Sequence, residues 1–245
     1  MREDVNQSFN ESKVMRRAVF ITISFIIFLW LIKAVEWLSG IDLTGLGLYP
    51  RNLMGTIGII TGPLIHGGIL HLISNTFPLA VLGIGLFYFY HKIAFEVLLW
   101  IYAATGIWVW LIGRDAYHIG ASGVIYGLLS FIFIGGILRR DSRSLAISLA
   151  VFVLYGGMIY GILPGEENIS WESHLMGLLS GALVAVFFRH KPIYAGDETI
   201  ELPEPGPENK PGVDYFSEPD NSSEKEIDTR YEYKPAGKKP PDNRP

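Results

Sequence analysis

Six long stretches of the chain are apolar and nearly free of charged residues. They lie near residues 17–37, 68–90, 93–112, 120–138, 144–163 and 171–189. A helix needs about 20 mostly apolar residues to cross the hydrocarbon core of a bilayer. The pattern therefore predicts an all-α integral membrane protein, a bundle of six transmembrane helices in contact with the lipid bilayer.

Composition changes after the sixth stretch. Hydrophobic residues make up 49% of the chain, yet residues 191–245 are rich in Pro, Glu, Asp, Lys and Asn. A segment of that kind cannot bury enough apolar surface to become ordered. We expect an N-terminal cytoplasmic segment over residues 1–16, a membrane domain over 17–190 and a disordered cytoplasmic tail over 191–245.

Basic residues beside the spans indicate how the protein is oriented. They fall on one side of the membrane if both termini share that side: Arg16, Arg17, Lys92, Arg139, Arg140, Arg143, Arg189 and Lys191. Lys and Arg near span ends are in excess on the cytoplasmic side. We predict a multi-pass protein of the cell (inner) membrane with both termini cytoplasmic.

Two classes of site are excluded by composition. The chain has no cysteine, so neither a disulfide framework nor a thiolate zinc site can form. The membrane portion also lacks a basic stripe interleaved with aromatic residues, so no nucleic-acid partner is expected.

Polar side chains inside the predicted spans are few and lie at one depth. His71 and Asn75 are four residues apart and share one face of the second span. Ser122 lies in the first turn of the fourth span, and His174 lies in the first turn of the sixth. These three spans all start on the non-cytoplasmic side. Because polar groups in lipid are costly unless paired, the four residues are candidates for function.

Small residues predict that the fourth and sixth spans pack closely. The stripe on the sixth span is His174, Gly177, Gly181 and Ala185, and that on the fourth is Gly120, Gly123 and Gly127. Stripes of this kind allow two helix backbones to approach. Such packing would bring the Ser122 hydroxyl toward the His174 imidazole.

A serine beside a neutral histidine forms a nucleophile and its general base. No carboxylate inside the spans is placed to orient His174, so we predict a dyad rather than a triad. Tyr126, one turn after Ser122, is placed to hold the imidazole by packing. His71, Asn75 and the backbone N–H groups that begin the fourth span are donors for an oxyanion.

Each motif also has a structural explanation when taken alone. G-x-S-G is frequent in packed membrane helices. His71 with Asn75 can be an interhelical hydrogen-bond pair, and His174 can be a buried histidine satisfied by a carbonyl. His118 is interpreted as a loop or interface residue. Their coincidence at one depth on three spans favours the catalytic interpretation.

Taken together, these motifs resemble those of the rhomboid intramembrane serine proteases. The matching residues are His66, His71 and Asn75 in H-x-x-x-x-H-x-x-x-N, Gly120, Ser122, Gly123 and Tyr126 in G-x-S-G-x-x-Y, and His174, Gly177 and Gly181 in H-x-x-G-x-x-x-G. The resemblance covers roughly residues 17–190, and the order and spacing of the motifs are specific to that family.

The resemblance implies a role for each residue. Ser122 is the nucleophile and His174 the base, while His71, Asn75 and the Ser122 backbone N–H form the oxyanion hole. Tyr126 packs on His174, and His66 lines the upper rim. The implied activity is hydrolysis of transmembrane protein substrates near the membrane surface, without a metal or organic cofactor. The segment between the fifth and sixth spans would be a mobile cap.

One departure from the family leaves alternatives open. Many rhomboids carry a Trp-Arg pair in the first loop where this chain has Ile57 and Gly58; Arg51 lies nearby. The altered loop and the long tail motivate a second hypothesis, a non-proteolytic rhomboid-like protein that binds transmembrane clients. A third, a small transporter with a polar path of histidines, is disfavoured because the spans lack acidic residues for a proton relay.

Overall fold

The computed structural model describes residues 2–140, 142–164 and 170–191, and these residues form six long helices and no β-strand. The helices are α1 Arg2–Ser39, α2 Ile69–Phe89, α3 Ala94–Ile112, α4 Ser122–Arg139, α5 Ser142–Tyr155 and α6 Trp171–Phe187. The all-α prediction is confirmed. The predicted tail and the middle of the predicted cap lie outside the described residues.

Four of the helical segments are long and apolar enough to cross a membrane: Glu11–Ser39, Ile69–Phe89, Ala94–Ile112 and Ser122–Arg139. The fifth and sixth are shorter apolar helices, Ser142–Met158 and Trp171–Phe187. The protein is thus an integral membrane protein by length and composition, and the count of six spans stays a prediction.

The fifth predicted span is not one continuous α-helix. Its α-helical part ends at Tyr155, and a 3₁₀-helix follows over Gly156–Ile162. Two consecutive glycines, Gly156 and Gly157, favour the change because glycine is a poor α-helix former. A 3₁₀-helix rises about 2.0 Å per residue against 1.5 Å in an α-helix. The narrow, stretched end of this segment reaches the site described below.

The loop between α1 and α2 is ordered by short helical turns, at Thr44–Leu46, Met54–Ile57, Gly58–Thr61 and Gly62–Leu64. Arg51 anchors it to the end of α3. The Arg51 backbone N–H donates to the Trp110 carbonyl at 2.9 Å, and its guanidinium donates to the Gly113 carbonyl at 2.7 Å. Helix C-termini offer unpaired carbonyls and favour cations.

Position 58, where this chain has Gly in place of the Arg expected from the family resemblance, has no room for a side chain. A Cβ atom at Gly58 would lie 2.0 Å from the Leu48 backbone nitrogen, so a larger residue does not fit there without moving the backbone. Arg51, seven residues earlier in the same loop, forms an ion pair with Asp115. In this chain, contacts from Arg51 fix the loop to the end of α3 and to Asp115.

Helices α4 and α6 touch backbone to backbone. A Cβ atom at Gly177 would lie 2.0 Å from the Gly123 carbonyl oxygen, and one at Gly181 would lie 2.0 Å from that of Gly127. The two glycine stripes in the sequence therefore face each other. Since no side chain separates the helices, the polar residues that begin α4 and α6 are brought within reach of each other.

Candidate active site

Ser122 and His174 form a hydrogen bond at the meeting point of α4 and α6. Ser122 is the first residue of α4, and its Oγ lies 2.9 Å from His174 Nε2. The other ring nitrogen, Nδ1, lies 2.8 Å from the Gly161 carbonyl oxygen. Because a carbonyl only accepts hydrogen bonds, Nδ1 carries the proton. The lone pair of Nε2 then faces the serine hydroxyl, which donates to it.

Tyr126 packs against one face of the His174 imidazole. The two rings stack with centroids 4.2 Å apart and planes 9° from parallel, and the Tyr126 hydroxyl donates to the Met158 carbonyl at 2.7 Å. Met158 and Gly161 both belong to the 3₁₀-helix that follows α5. Two backbone carbonyls of one segment therefore fix the histidine and the tyrosine together.

Gly161 is required to be glycine by the closeness of this contact. A Cβ atom there would lie 2.1 Å from the Tyr126 hydroxyl and 3.2 Å from His174 Nδ1. Sequence reasoning missed both Met158 and Gly161. Their contribution comes from backbone carbonyls, and the glycines of residues 156–161 are the signal that a close approach occurs in this segment.

Asn75 and His71 lie on the neighbouring helix α2, beside Ser122 and His174. Ser122, His174, Asn75 and His71 all line one cleft of about 730 Å³, a size suited to a ligand. The buried Asn75 amide donates one hydrogen bond to the His71 carbonyl at 2.9 Å. An amide NH₂ has two donors. One Asn75 donor therefore stays available to a group bound in the cleft.

Gly120 lets the chain pass close to His71 just before Ser122. Its φ of +106° is unfavourable for other residues, and a Cβ atom there would lie 2.7 Å from the His71 ring. The Gly120 N–H is bonded to the Gly62 carbonyl at 2.9 Å. As the first residue of α4, Ser122 has an N–H without an acceptor in its own helix, so the cleft has a backbone donor beside the hydroxyl.

His66 lies behind His71 and is 2% exposed. Burial, with a smaller contribution from neighbouring His71, lowers the pKa of His66 to about 4. The neutral ring accepts from the Ala121 N–H at 3.4 Å and meets the His71 ring edge-on. His66 thus supports His71 and the residue before Ser122 from within the fold.

Lys33 links α1 to the same region. Its Nζ lies 2.8 Å from Glu36 Oε2 and donates to the His66 carbonyl at 2.9 Å. The ion pair explains how a lysine is accommodated near the end of the first apolar stretch, because a charge in an apolar environment is tolerated when it is paired.

A serine hydroxyl that donates to a neutral imidazole, with N–H donors alongside, is the arrangement of nucleophilic acyl transfer. Similarity to known proteins identifies the family of the chain. The family model described as Rhomboid domain matches residues 55–191. No solved structure matches the chain.

Curated relatives include bacterial and plant proteins. An uncharacterized protein of Mycobacterium tuberculosis is 36% identical over 177 residues, which cover 66% of this chain and 72% of the relative. The putative rhomboid protease YdcA of Bacillus subtilis is 29% identical over 52% of this chain and 64% of its own. RHOMBOID-like protein 4 of Arabidopsis thaliana is 30% identical over 53% of this chain and 33% of its own. The chain belongs to the rhomboid family.

Proposed function

We propose that the protein is an intramembrane serine protease that hydrolyses peptide bonds of transmembrane proteins near the membrane surface. The observation that carries the proposal is the Ser122–His174 hydrogen bond of 2.9 Å, with the tautomer of His174 set by the Gly161 carbonyl. A relative named as a putative rhomboid protease supports the same chemistry.

In the proposed reaction, Ser122 Oγ attacks the carbonyl carbon of the scissile peptide bond while its proton passes to His174 Nε2. The oxyanion of the tetrahedral intermediate receives hydrogen bonds from the Ser122 N–H, Asn75 and His71. His174 then returns the proton to the leaving amide nitrogen, and the C–N bond breaks. Water activated by His174 hydrolyses the acyl-enzyme in the same way.

The side of the membrane on which cleavage occurs follows from the proposed orientation. With both termini in the cytoplasm and six spans, α4 and α6 begin on the non-cytoplasmic side. Ser122 and His174 lie in the first turn of those helices. We therefore place the cleavage site of a substrate near the non-cytoplasmic surface, where the first turns are within reach of water.

Covalent labelling with a serine-reactive fluorophosphonate tests the proposal without a known substrate. The detergent-solubilised protein is expected to take up one label per chain, located by peptide mapping at Ser122. Ser180→Ala, which changes a buried serine farther along α6, is the matched control and should label like wild type. A folded wild-type protein that takes up no label contradicts the proposal and favours the non-proteolytic client binder.

Gly161→Ala is expected to slow labelling by on the order of 10²-fold, because the new methyl group displaces the carbonyl that orients His174. The matched control is Gly157→Ala in the same 3₁₀-helix, where an added Cβ meets nothing within 4 Å. Labelling rates of the two variants, with thermal unfolding of each, provide the measurement. Equal rates would show that the Gly161 contact does not position the base.

A further inference from the structure

His118 is a buried histidine outside the proposed dyad that joins three segments of the protein. It is 4% exposed. Its backbone exchanges hydrogen bonds with Leu48 of the first loop at 3.1 and 2.8 Å. In the ring, Nε2 lies 3.1 Å from the Arg114 carbonyl oxygen, and Nδ1 lies 2.6 Å from Ser170 Oγ. Every polar atom of this side chain is therefore used.

The contact between His118 and Ser170 connects the segments that precede the two proposed catalytic residues. His118 precedes Ser122 by four residues, and Ser170 precedes His174 by four. Ser170 is the N-cap of α6: its hydroxyl accepts from the Ser173 N–H at 3.3 Å. Its carbonyl accepts from the His174 N–H at 3.3 Å. The imidazole therefore ties the segment entering α4 to the cap that starts α6.

The protonation state of His118 suits this arrangement. Burial lowers the pKa of His118, and the lowering outweighs the opposing hydrogen bond to the Arg114 carbonyl. The ring is therefore neutral at neutral pH. Since Nε2 faces a carbonyl it carries the proton. Nδ1 is then the acceptor that faces the Ser170 hydroxyl, which also lies 2.6 Å from Ser173 Oγ. One tautomer satisfies both contacts.

A second contact crosses between the same segments. Arg114 Nε lies 3.6 Å from Glu172 Oε1, and Glu172 is 4% exposed. Both the ion pair and the His118 ring therefore connect residues 113–121 with the first turn of α6. Two polar contacts at one junction indicate that the relative position of these segments is specified.

We propose that His118 is a positioning residue, which sets the separation of Ser122 and His174 through Ser170 without touching either side chain. The inference rests on the proposed protease function and adds a residue that the family motifs in the sequence do not include. A hydrogen bond between the N-cap and the loop fixes where α6 begins, and a small displacement of a base is costly in rate.

The test compares two substitutions that separate the two ring contacts. His118→Asn keeps a polar atom near the Nδ1 position, which faces Ser170, whereas His118→Gln keeps one near the Nε2 position, which faces Arg114. His118→Ala removes both. The control is His91→Ala, a half-buried histidine just after α2 whose Nδ1 lies 3.4 Å from the Tyr88 carbonyl oxygen. Fluorophosphonate labelling is resolved into reagent affinity and maximal rate.

We expect His118→Ala to lower the maximal labelling rate on the order of tenfold with little change in reagent affinity. His118→Asn should recover most of the rate, and His118→Gln should not. Ser170→Ala also removes the N-cap and should be at least as slow as His118→Ala. The double variant should be no slower than Ser170→Ala, because both substitutions remove one shared contact. Additive losses, or no advantage of Asn over Gln, overturn the proposal.

Amide hydrogen exchange at Ser173 and His174 gives a readout independent of catalysis. Exchange there should accelerate in His118→Ala and return toward wild type in His118→Asn, because the N-cap is loosened and then held again. Unchanged exchange in His118→Ala overturns the link even if labelling slows. If the wild type is not labelled at Ser122, the protease proposal fails, while faster exchange still supports the contact between His118 and the cap.

Discussion

Replacing His174 by Ala is expected to lower the labelling rate of Ser122, and hydrolysis of any substrate later found, by on the order of 10⁴ to 10⁶. The reason is that a serine hydroxyl is a poor nucleophile until a base removes its proton. In this protein Nε2 of His174 is the atom positioned to do so, at 2.9 Å from Oγ. Labelling kinetics of solubilised wild type and variant provide the measurement.

Two further variants make this result specific. His190→Ala removes an exposed histidine from the other end of the α6 segment and should leave the rate unchanged. The double variant Ser122→Ala/His174→Ala should hydrolyse no more slowly than Ser122→Ala alone, because residues that act as one unit lose their effect together. A His174→Ala protein that labels at the wild-type rate would remove the dyad from the mechanism.

Asn75→Ala is expected to slow the reaction by on the order of 10² to 10³, the usual effect of losing one oxyanion donor. Asn75 lines the same cleft as Ser122 and keeps one N–H free of its bond to the His71 carbonyl. Asn75→Asp is the more informative variant, since it keeps the shape of the side chain and removes both donors. The labelling rate is measured for each, together with thermal stability.

The matched control for this prediction is Ser74→Ala. Ser74 is the preceding residue of α2, also lines the cleft, and also donates to the His71 carbonyl, at 2.8 Å. It should behave like wild type because the proposed oxyanion site does not use it. His71→Ala measures the contribution of the second donor. Wild-type rates in both Asn75→Ala and His71→Ala would contradict the oxyanion assignment.

The length of the apolar stretches predicts the all-helical fold, and the spacing of the glycines predicts the close approach of α4 to α6. Both features can be identified from the order of residues in the sequence. The same reasoning fails at Tyr155, where α5 becomes a 3₁₀-helix. Apolar length and composition do not distinguish the two kinds of helix. Ser122, His174 and their neighbours on α2 are visible in the sequence as polar residues in apolar stretches.

The groups that orient the predicted site are not visible in this way. Gly161 and Met158 act through backbone carbonyls, which every residue has. From the sequence, His118 is interpreted as a loop or interface residue. Its contact with Ser170, 52 positions away, exists only in the folded chain. What the sequence lacks is therefore the set of tertiary hydrogen bonds around the predicted residues.

The group that orients His174 is the uncharged backbone carbonyl of Gly161. In a triad, a buried carboxylate holds the histidine, and transferring that charge out of water costs several kcal/mol. A carbonyl accepts the same hydrogen bond from His174 Nδ1 without any net charge. It also has no proton to gain in acid, so the orienting group cannot be lost by titration. A neutral backbone group lets the base be oriented in surroundings of low polarity where a carboxylate would be expensive to maintain.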